Sequence, residues 1–110
     1  MRVYISGAIT GTTDYGWRFA DAADVLTKTG HTVVNPVHIG TALKYKLGRK
    51  PTWHEYMRES IKALMDCDAI CMLDGWNRSK GSRVEKELAE ELEIKEITLE
   101  RNDNGNKKSL

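Results

Sequence analysis

The amino-acid sequence predicts a single α/β domain built on an open parallel sheet of about four strands. Short apolar runs alternate along the chain with longer segments whose apolar residues recur at helical spacing. Strands that alternate with helices pair in parallel through right-handed crossovers. A chain of 110 residues is long enough for one such domain and too short for two. Ligands of these sheets bind beyond the carboxyl ends of the strands, where the strand order reverses.

The first part of the chain predicts two strands and one helix. Residues 2–6 form a short apolar run that is typical of a buried strand. Residues 15–29 have apolar side chains at roughly helical spacing, with Trp17 expected in the core and Gly30 as the C-cap. Residues 32–34 are β-branched and predict a second strand.

The second part of the chain is less uniform. Residues 38–51 are basic and follow no clear period, so we expect them to be irregular or partly helical. Thr52 and Glu55 stand at the spacing of a capping box and predict a helix that ends near Cys67. A strand, a helix and a last strand are predicted over residues 68–73, 80–92 and 94–99.

Composition limits the classes of partner and site. We expect a folded domain over residues 1–100 and a polar, disordered tail over residues 101–110. The net charge of +1 and the lack of a run of about 20 apolar residues argue against a nucleic acid polymer or a membrane as partner, and favour a cytoplasmic protein. Cys67 and Cys71 lack companions at metal-ligand spacing, so we interpret them as buried free thiols and expect no metal.

The segment from Ser79 to Glu85 carries the clearest chemical signal. It begins a predicted helix, where unpaired N–H groups attract anions, and its small residues let a phosphate approach closely. Glu85 lies one turn into this helix, where a carboxylate can act as nucleophile or base. Two simpler interpretations stay open: Ser79 as a plain N-cap, and Glu85 as a solvated residue that favours the helix dipole.

A second glycine-containing loop, residues 7–11, follows the first predicted strand. Both loops fall on the carboxyl edge of the predicted sheet, so they converge on one pocket. Neither loop matches the dinucleotide-binding pattern or the P-loop pattern. The sequence therefore favours a small anionic ligand that is held neither by a dinucleotide-binding loop nor by a P-loop.

Aromatic and basic residues near these loops have two interpretations each. Trp76 could stack on a nucleobase or form a lid over the core. Trp53 and Tyr56 are typical of core or subunit packing. The basic residues between Lys44 and Lys50 could attract a phosphorylated ligand, but they also fit a solvated loop.

Taken together, several motifs resemble the nucleoside 2-deoxyribosyltransferase superfamily, and most closely its small bacterial and phage branch. They are residues 3–11, Asn35-Pro36, residues 67–70, and Ser79-Lys80-Gly81 followed by Glu85. The resemblance covers residues 2–98. It implies a flavodoxin-like or Rossmann-like three-layer sandwich with a parallel sheet of four to five strands. It also implies cleavage or transfer of the N-glycosidic bond of a 2′-deoxynucleoside or its 5′-monophosphate, no cofactor, and a homodimer or higher oligomer.

The resemblance also assigns roles to individual residues. Glu85 matches the nucleophile, and Tyr4 matches a tyrosine beside it. The substrate-binding set that it implies consists of Ser6, Gly7, Ala8, Ile9, Thr10, Ser79, Gly81 and Ser82, to which we add Trp76. Ser60 stands where the related hydrolases carry an aspartate that handles the proton of the leaving base. This departure keeps open an alternative, a nucleotide-binding module on the same fold that does not turn its ligand over.

Overall fold

The computed structural model describes residues 1–9 and 14–99 of the chain. The strands are β1 (Arg2–Ser6), β2 (Thr32–Val34), β3 (Ala69–Met72) and β4 (Lys95–Ile97). The helices are α1 (Tyr15–Lys28), α2 (Pro36–Leu47), α3 (Trp53–Met65) and α4 (Lys80–Glu91), and a short 3-10 helix (Trp76–Arg78) precedes α4. Strands and helices alternate as the sequence predicts, except that two helices stand between β2 and β3.

The four strands form one parallel sheet in the order β2-β1-β3-β4. Tyr4 of β1 lies beside Val34 on one side and Ile70 on the other. The chain runs first from β1 outward to β2 and then back across to β3, so the strand order reverses between β1 and β3. The predicted fold class is confirmed: this is an α/β protein with a flavodoxin-like or Rossmann-like three-layer fold.

Alternate residues of β1 supply the two faces of the sheet. Val3 and Ile5 pack with Phe19 and Leu26 of α1 in one buried cluster. Tyr4 points to the opposite face and packs in a second cluster against side chains of α3, β3 and α4. This alternation follows from the two-residue period of a strand. The sheet therefore has a face covered by α1 and a face covered by α3 and α4.

Helix α2 occupies most of the segment that the sequence left open as irregular or partly helical. Asn35 caps it by accepting a hydrogen bond from the Val37 N–H at 3.0 Å, and Pro36 occupies its first turn, where no N–H is needed. Gly48 ends it in the left-handed conformation, with φ of 71°. These start and stop signals stand in the sequence, but the weak apolar period between them hides the helix.

The turn between α2 and α3 is fixed by a set of polar contacts. Thr52 and Glu55 form the predicted capping box, with hydrogen bonds of 3.1 Å and 2.8 Å. Arg49 adds a two-pronged ion pair to Glu55, with both N···O distances at 2.8 Å. Together these contacts hold the pKa of Glu55 down, at about 2. The turn is therefore well defined although its side chains lie at the surface.

Other predictions have mixed outcomes. Trp17 is 71% exposed, so its predicted place in the core is wrong: the buried residues of α1 are Phe19, Ala22 and Leu26, and Trp17 lies off that face. Cys67 and Cys71 are buried free thiols, as predicted, and burial raises the pKa of Cys71 to about 11. The last strand is shorter than expected, and the predicted tail over residues 101–110 lies outside the described residues.

No helix within residues 1–9 and 14–99 combines the length and apolar character needed to cross a membrane. In the same part of the chain, no three His, Cys, Asp or Glu residues are grouped so that they could hold a metal ion.

Candidate functional site

A buried carboxylate stands where the strand order of the sheet reverses. Glu85 of α4 is only 5% exposed, and both of its oxygens accept hydrogen bonds. The Tyr4 hydroxyl donates to Oε2 at 2.5 Å, and the Ser6 hydroxyl donates to Oε1 at 2.6 Å. The possibility that Glu85 is a solvated first-turn residue is therefore excluded.

Strand and helix periods together place these side chains. Tyr4 and Ser6 are two residues apart on β1, so they point to the same face of the sheet. The buried residues of α4 are Ser82, Glu85 and Ala89, at the i, i+3, i+7 spacing of one helix face. The Ser6 and Ser82 hydroxyl oxygens lie 3.0 Å apart. Because Ser6 gives its single proton to Glu85, we assign Ser82 as the donor in this contact.

The surroundings of Glu85 act on its pKa in opposite directions. Burial raises the pKa of Glu85, while the hydrogen bonds from Ser6 and Tyr4 lower it by favouring the ionised form. Burial also raises the pKa of Tyr4, and the charge of Glu85 raises it further. Tyr4 therefore stays protonated as a donor, and the carboxylate is held by two donors in a mostly apolar setting.

Glu85 lies in the wall of a cavity of about 550 Å³. This volume lies within the usual range of small-molecule sites, about 300–1,000 Å³. Gly7 and Ile9 after β1 and Ser79, Gly81 and Ser82 at the start of α4 line the part near the sheet. The rest of the lining comes from α1, α2 and α3 and from the turn before α3: Tyr15, Pro36, Val37, Gly40, Thr41, Lys44, Lys50, Pro51, Thr52, Trp53, Tyr56 and Met57. The cavity thus unites the two loops that the sequence placed on one edge.

The start of α4 is both capped and closely packed. Ser79 accepts a hydrogen bond from the Ser82 N–H at 3.2 Å, so it is an N-cap as well as a lining residue. A Cβ atom added to Gly81 would lie 3.0 Å from Met57 Sδ and 3.8 Å from Trp53 Nε1. Glycine at this position lets α4 approach α3 closely. The ammonium of Lys80 lies 4.3 Å from the centre of the Trp53 ring.

Several predicted site residues do not line this cavity. Tyr4 and Ser6 stand behind Glu85 and orient it. Ala8 is buried, and its carbonyl accepts a hydrogen bond from Arg18 at 2.8 Å. Trp76 belongs to the 3-10 helix, away from the cavity lining, where the ammonium of Lys86 lies 5.2 Å from its ring centre. Thr10 lies outside the described residues.

Ser60 lies next to this network, fully buried. Its hydroxyl lies beside the phenols of Tyr4 and Tyr56, whose pKa values it lowers against the dominant effect of burial. The Ser60 Oγ atom nevertheless has no partner at hydrogen-bonding geometry within the described part of the chain. A buried hydroxyl without a partner costs about 1–3 kcal/mol of desolvation.

Helix α2 and the turn that follows it contribute residues that the sequence did not predict for the site. Lys44, Lys50, Trp53 and Tyr56 line the cavity, although the sequence favoured a solvated loop for the two lysines and packing for the two aromatic residues. The signals that place them are the Asn35-Pro36 start of α2 and the capping box of α3. Only the packing of α2 on α3 turns these residues toward one space.

Comparison with known proteins gives one result on the family. No curated protein and no solved structure matches the chain. A family model described as a domain of unknown function, DUF4406, matches residues 1–98. This match does not test the resemblance to the nucleoside 2-deoxyribosyltransferase superfamily, which stays a prediction. Because the match spans the whole described α/β unit except its last residue, this chain belongs to the DUF4406 family.

Proposed function

We propose that this protein cleaves the N-glycosidic bond of a 2′-deoxynucleoside or of its 5′-monophosphate, with Glu85 as the nucleophile. The observation that carries the proposal is the state of Glu85: a buried carboxylate in a cavity wall, with both oxygens oriented by hydrogen bonds from Tyr4 and Ser6. Cleavage through an oxocarbenium-like transition state needs such a carboxylate at the anomeric carbon.

The proposed reaction has two steps. The Glu85 carboxylate attacks C1′ of the sugar, the C1′–N bond breaks, and its electron pair leaves with the base, which takes a proton from water. A water molecule, or a second base, then attacks C1′ of the resulting ester and loses its own proton, which frees Glu85. The donors Tyr4 and Ser6 favour the ionised carboxylate against the effect of burial, and they hold it in position for the first step.

The cavity walls suit the other parts of such a substrate. Tyr56 offers aromatic surface for a nucleobase. Ser79, Gly81 and Ser82 lie at the start of α4, where the positive end of the helix dipole favours a 5′-phosphate. These contacts support a phosphorylated deoxynucleoside, and they leave both water and a second base open as acceptors.

The test is an assay of base release. The protein is incubated with 2′-deoxynucleosides and their 5′-monophosphates, with and without an added base, and released or exchanged base is separated by chromatography. We expect release that Glu85→Gln reduces by at least about a thousandfold, the scale on which loss of a nucleophile acts. Glu87→Gln is the matched control, because Glu87 is exposed on the same helix. Equal rates in the parent and in Glu85→Gln would refute the role of Glu85.

A second function is favoured by one observation. Glu85 is the single carboxylate among the described residues that line the cavity, and Ser60 supplies a hydroxyl near it instead of an acid. A site with one carboxylate can hold a nucleotide without protonating a leaving base. Saturable nucleotide binding without base release, unchanged in Ser60→Asp, would favour this binding module over the enzyme.

A further inference from the structure

Two lysines in the cavity wall have no anionic partner. The ammonium groups of Lys44 and Lys50 make no ion pair or hydrogen bond within residues 1–9 and 14–99. Three other lysines of the same part of the chain pair with carboxylates: Lys28 with Asp24, Lys62 with Glu59, and Lys86 with Glu90 and Glu96. The charge of the two cavity lysines is therefore available to a ligand.

Helix α2 sets the distance between these lysines and the sheet. Its lining residues are Pro36, Val37, Gly40, Thr41 and Lys44, the stripe of a single helix face. Lys44 is eight positions after Pro36, which at about 1.5 Å per residue is about 12 Å along the helix axis. Only Asn35 separates Pro36 from the end of β2 at the carboxyl edge of the sheet. The backbone of Lys44 therefore lies at the outer end of the cavity, away from that edge.

Lys50 is held at the same end by the turn between α2 and α3. The two-pronged contact of Arg49 with Glu55 and the capping box of Thr52 fix the backbone on either side of it. Arg49 forms an ion pair with Glu55, so Lys50 is the cation of this turn that faces the cavity. A fixed backbone lowers the entropy cost of presenting the lysine to a ligand.

Positive and negative charge therefore lie in different parts of the cavity. Two lysines stand at the outer end, and Glu85, already held by Tyr4 and Ser6, stands in the inner wall. Both lysines are exposed, so their attraction for an anion acts at short range and weakens as salt is added.

A continuous wall joins this end to the start of α4. Gly81 lies against Trp53, and Trp53 follows Lys50 by three residues, which is at most about 10 Å of extended chain. A phosphate chain that starts near Gly81 can extend along this wall toward Lys50. We propose that Lys44 and Lys50 form a second anion subsite, which takes the outer phosphates of a nucleoside 5′-diphosphate or triphosphate. This inference rests on the proposed function for the orientation of the nucleotide.

The test compares phosphate chains of different length. Affinities of the deoxynucleoside 5′-mono-, di- and triphosphates are measured by calorimetry, without magnesium, for the parent and for Lys44→Gln/Lys50→Gln. Lys46→Gln is the matched control, because Lys46 is an exposed lysine of α2 outside the cavity lining. Charge-assisted contacts of this kind predict that the triphosphate binds at least about tenfold more tightly than the monophosphate. We expect this gain in the parent and in Lys46→Gln, and its loss in the double variant.

Inorganic tripolyphosphate separates the subsite from the proposed function. We expect it to bind the parent, to bind the double variant at least about tenfold more weakly, and to bind more weakly as salt is added. If base release fails while this pattern holds, the glycosidase proposal falls and the subsite stands. If base release occurs while the triphosphate gains nothing, or the gain survives in the double variant, the subsite is refuted. Both lysines are exposed, so circular dichroism should show all variants folded.

Discussion

The face of the sheet under α1 and the face under α3 and α4 bury different chemistry. The first is filled by apolar side chains, with Val3, Ile5 and Phe19 among them. The second holds every buried polar residue of the described chain, namely Ser6, Ser60, Ser82 and Glu85. Neighbouring residues of one strand, Ile5 and Ser6, therefore serve different purposes. One face of this small domain can therefore supply stability while the other carries polar groups that a core alone would not favour.

The largest effect is expected on the apolar face. Phe19→Ala removes a fully buried ring, and truncations of this kind cost about 3–5 kcal/mol of unfolding free energy. Trp17→Ala on the same helix is the control, since that ring is mostly exposed and its loss should cost less than about 0.5 kcal/mol. Urea unfolding measures both. Equal losses in the two variants would mean that α1 packs in another way.

A smaller effect is expected from Tyr4→Phe on the polar face. It keeps the ring and removes the donor to Glu85, a charge-assisted hydrogen bond that contributes about 1.5–3 kcal/mol. Loss of the donor raises the pKa of Glu85 further, so base release should begin to fall at a higher pH as the solution is acidified. Tyr45→Phe is the control, because Tyr45 is 91% exposed. An unchanged pH profile in Tyr4→Phe would show that Tyr4 does not affect base release through Glu85.

The titration of Glu85 should be visible in the pH dependence of the free energy of unfolding. Burial raises its pKa above the ordinary value of 4.5, so between that value and the raised one the folded protein holds a proton that the unfolded chain has released. This contribution to stability is complete below pH 4.5 and is lost as pH rises through the raised pKa. Glu85→Gln should therefore lose less stability than the parent between acid and neutral pH. Parallel curves for Glu85→Gln, Glu87→Gln and the parent would contradict this.

The smallest effect is expected at Ser60. Ser60→Ala removes a buried hydroxyl that has no partner within the described residues, so the unfolding free energy should stay within about 1 kcal/mol of the parent or rise. Ser82→Ala is the matched control, because its hydroxyl contacts Ser6 and its loss should lower stability. A clear loss in Ser60→Ala would indicate that its hydroxyl is satisfied by bound water.

The sequence predicted the fold better than it predicted the site. Alternating strands and helices were enough for the parallel sheet and for the convergence of the loops after β1 and β3. The place of Glu85 in the cavity wall was also predicted. Helix α2 was left open, as irregular or partly helical, because its signals are its caps and not an apolar period. Trp17 was misplaced because residue type suggested burial, whereas its angular position on α1 faces water.

Other features depend on contacts that are distant in sequence. The bond between Ser6 and Glu85 spans 79 positions, and no local pattern announces it. Lys44 and Lys50 differ from ordinary surface lysines only because α2 packs beside α3 and leaves a cavity there. Such residues acquire their roles from tertiary packing, so the sequence alone offers only their charge.

Gly7 brings the cavity close to Phe19, a side chain whose NMR signals can report ligand binding. It lines the cavity, and a Cβ atom placed on it would lie 3.1 Å from Leu73 and 3.3 Å from the tip of the Phe19 ring. A single backbone segment thus separates a bound ligand from the apolar core. Phe19 is the only phenylalanine of the chain, so its ring resonances in an NMR spectrum can be assigned without variants. Occupancy of the cavity should be readable from those signals, even for a ligand that the protein never converts.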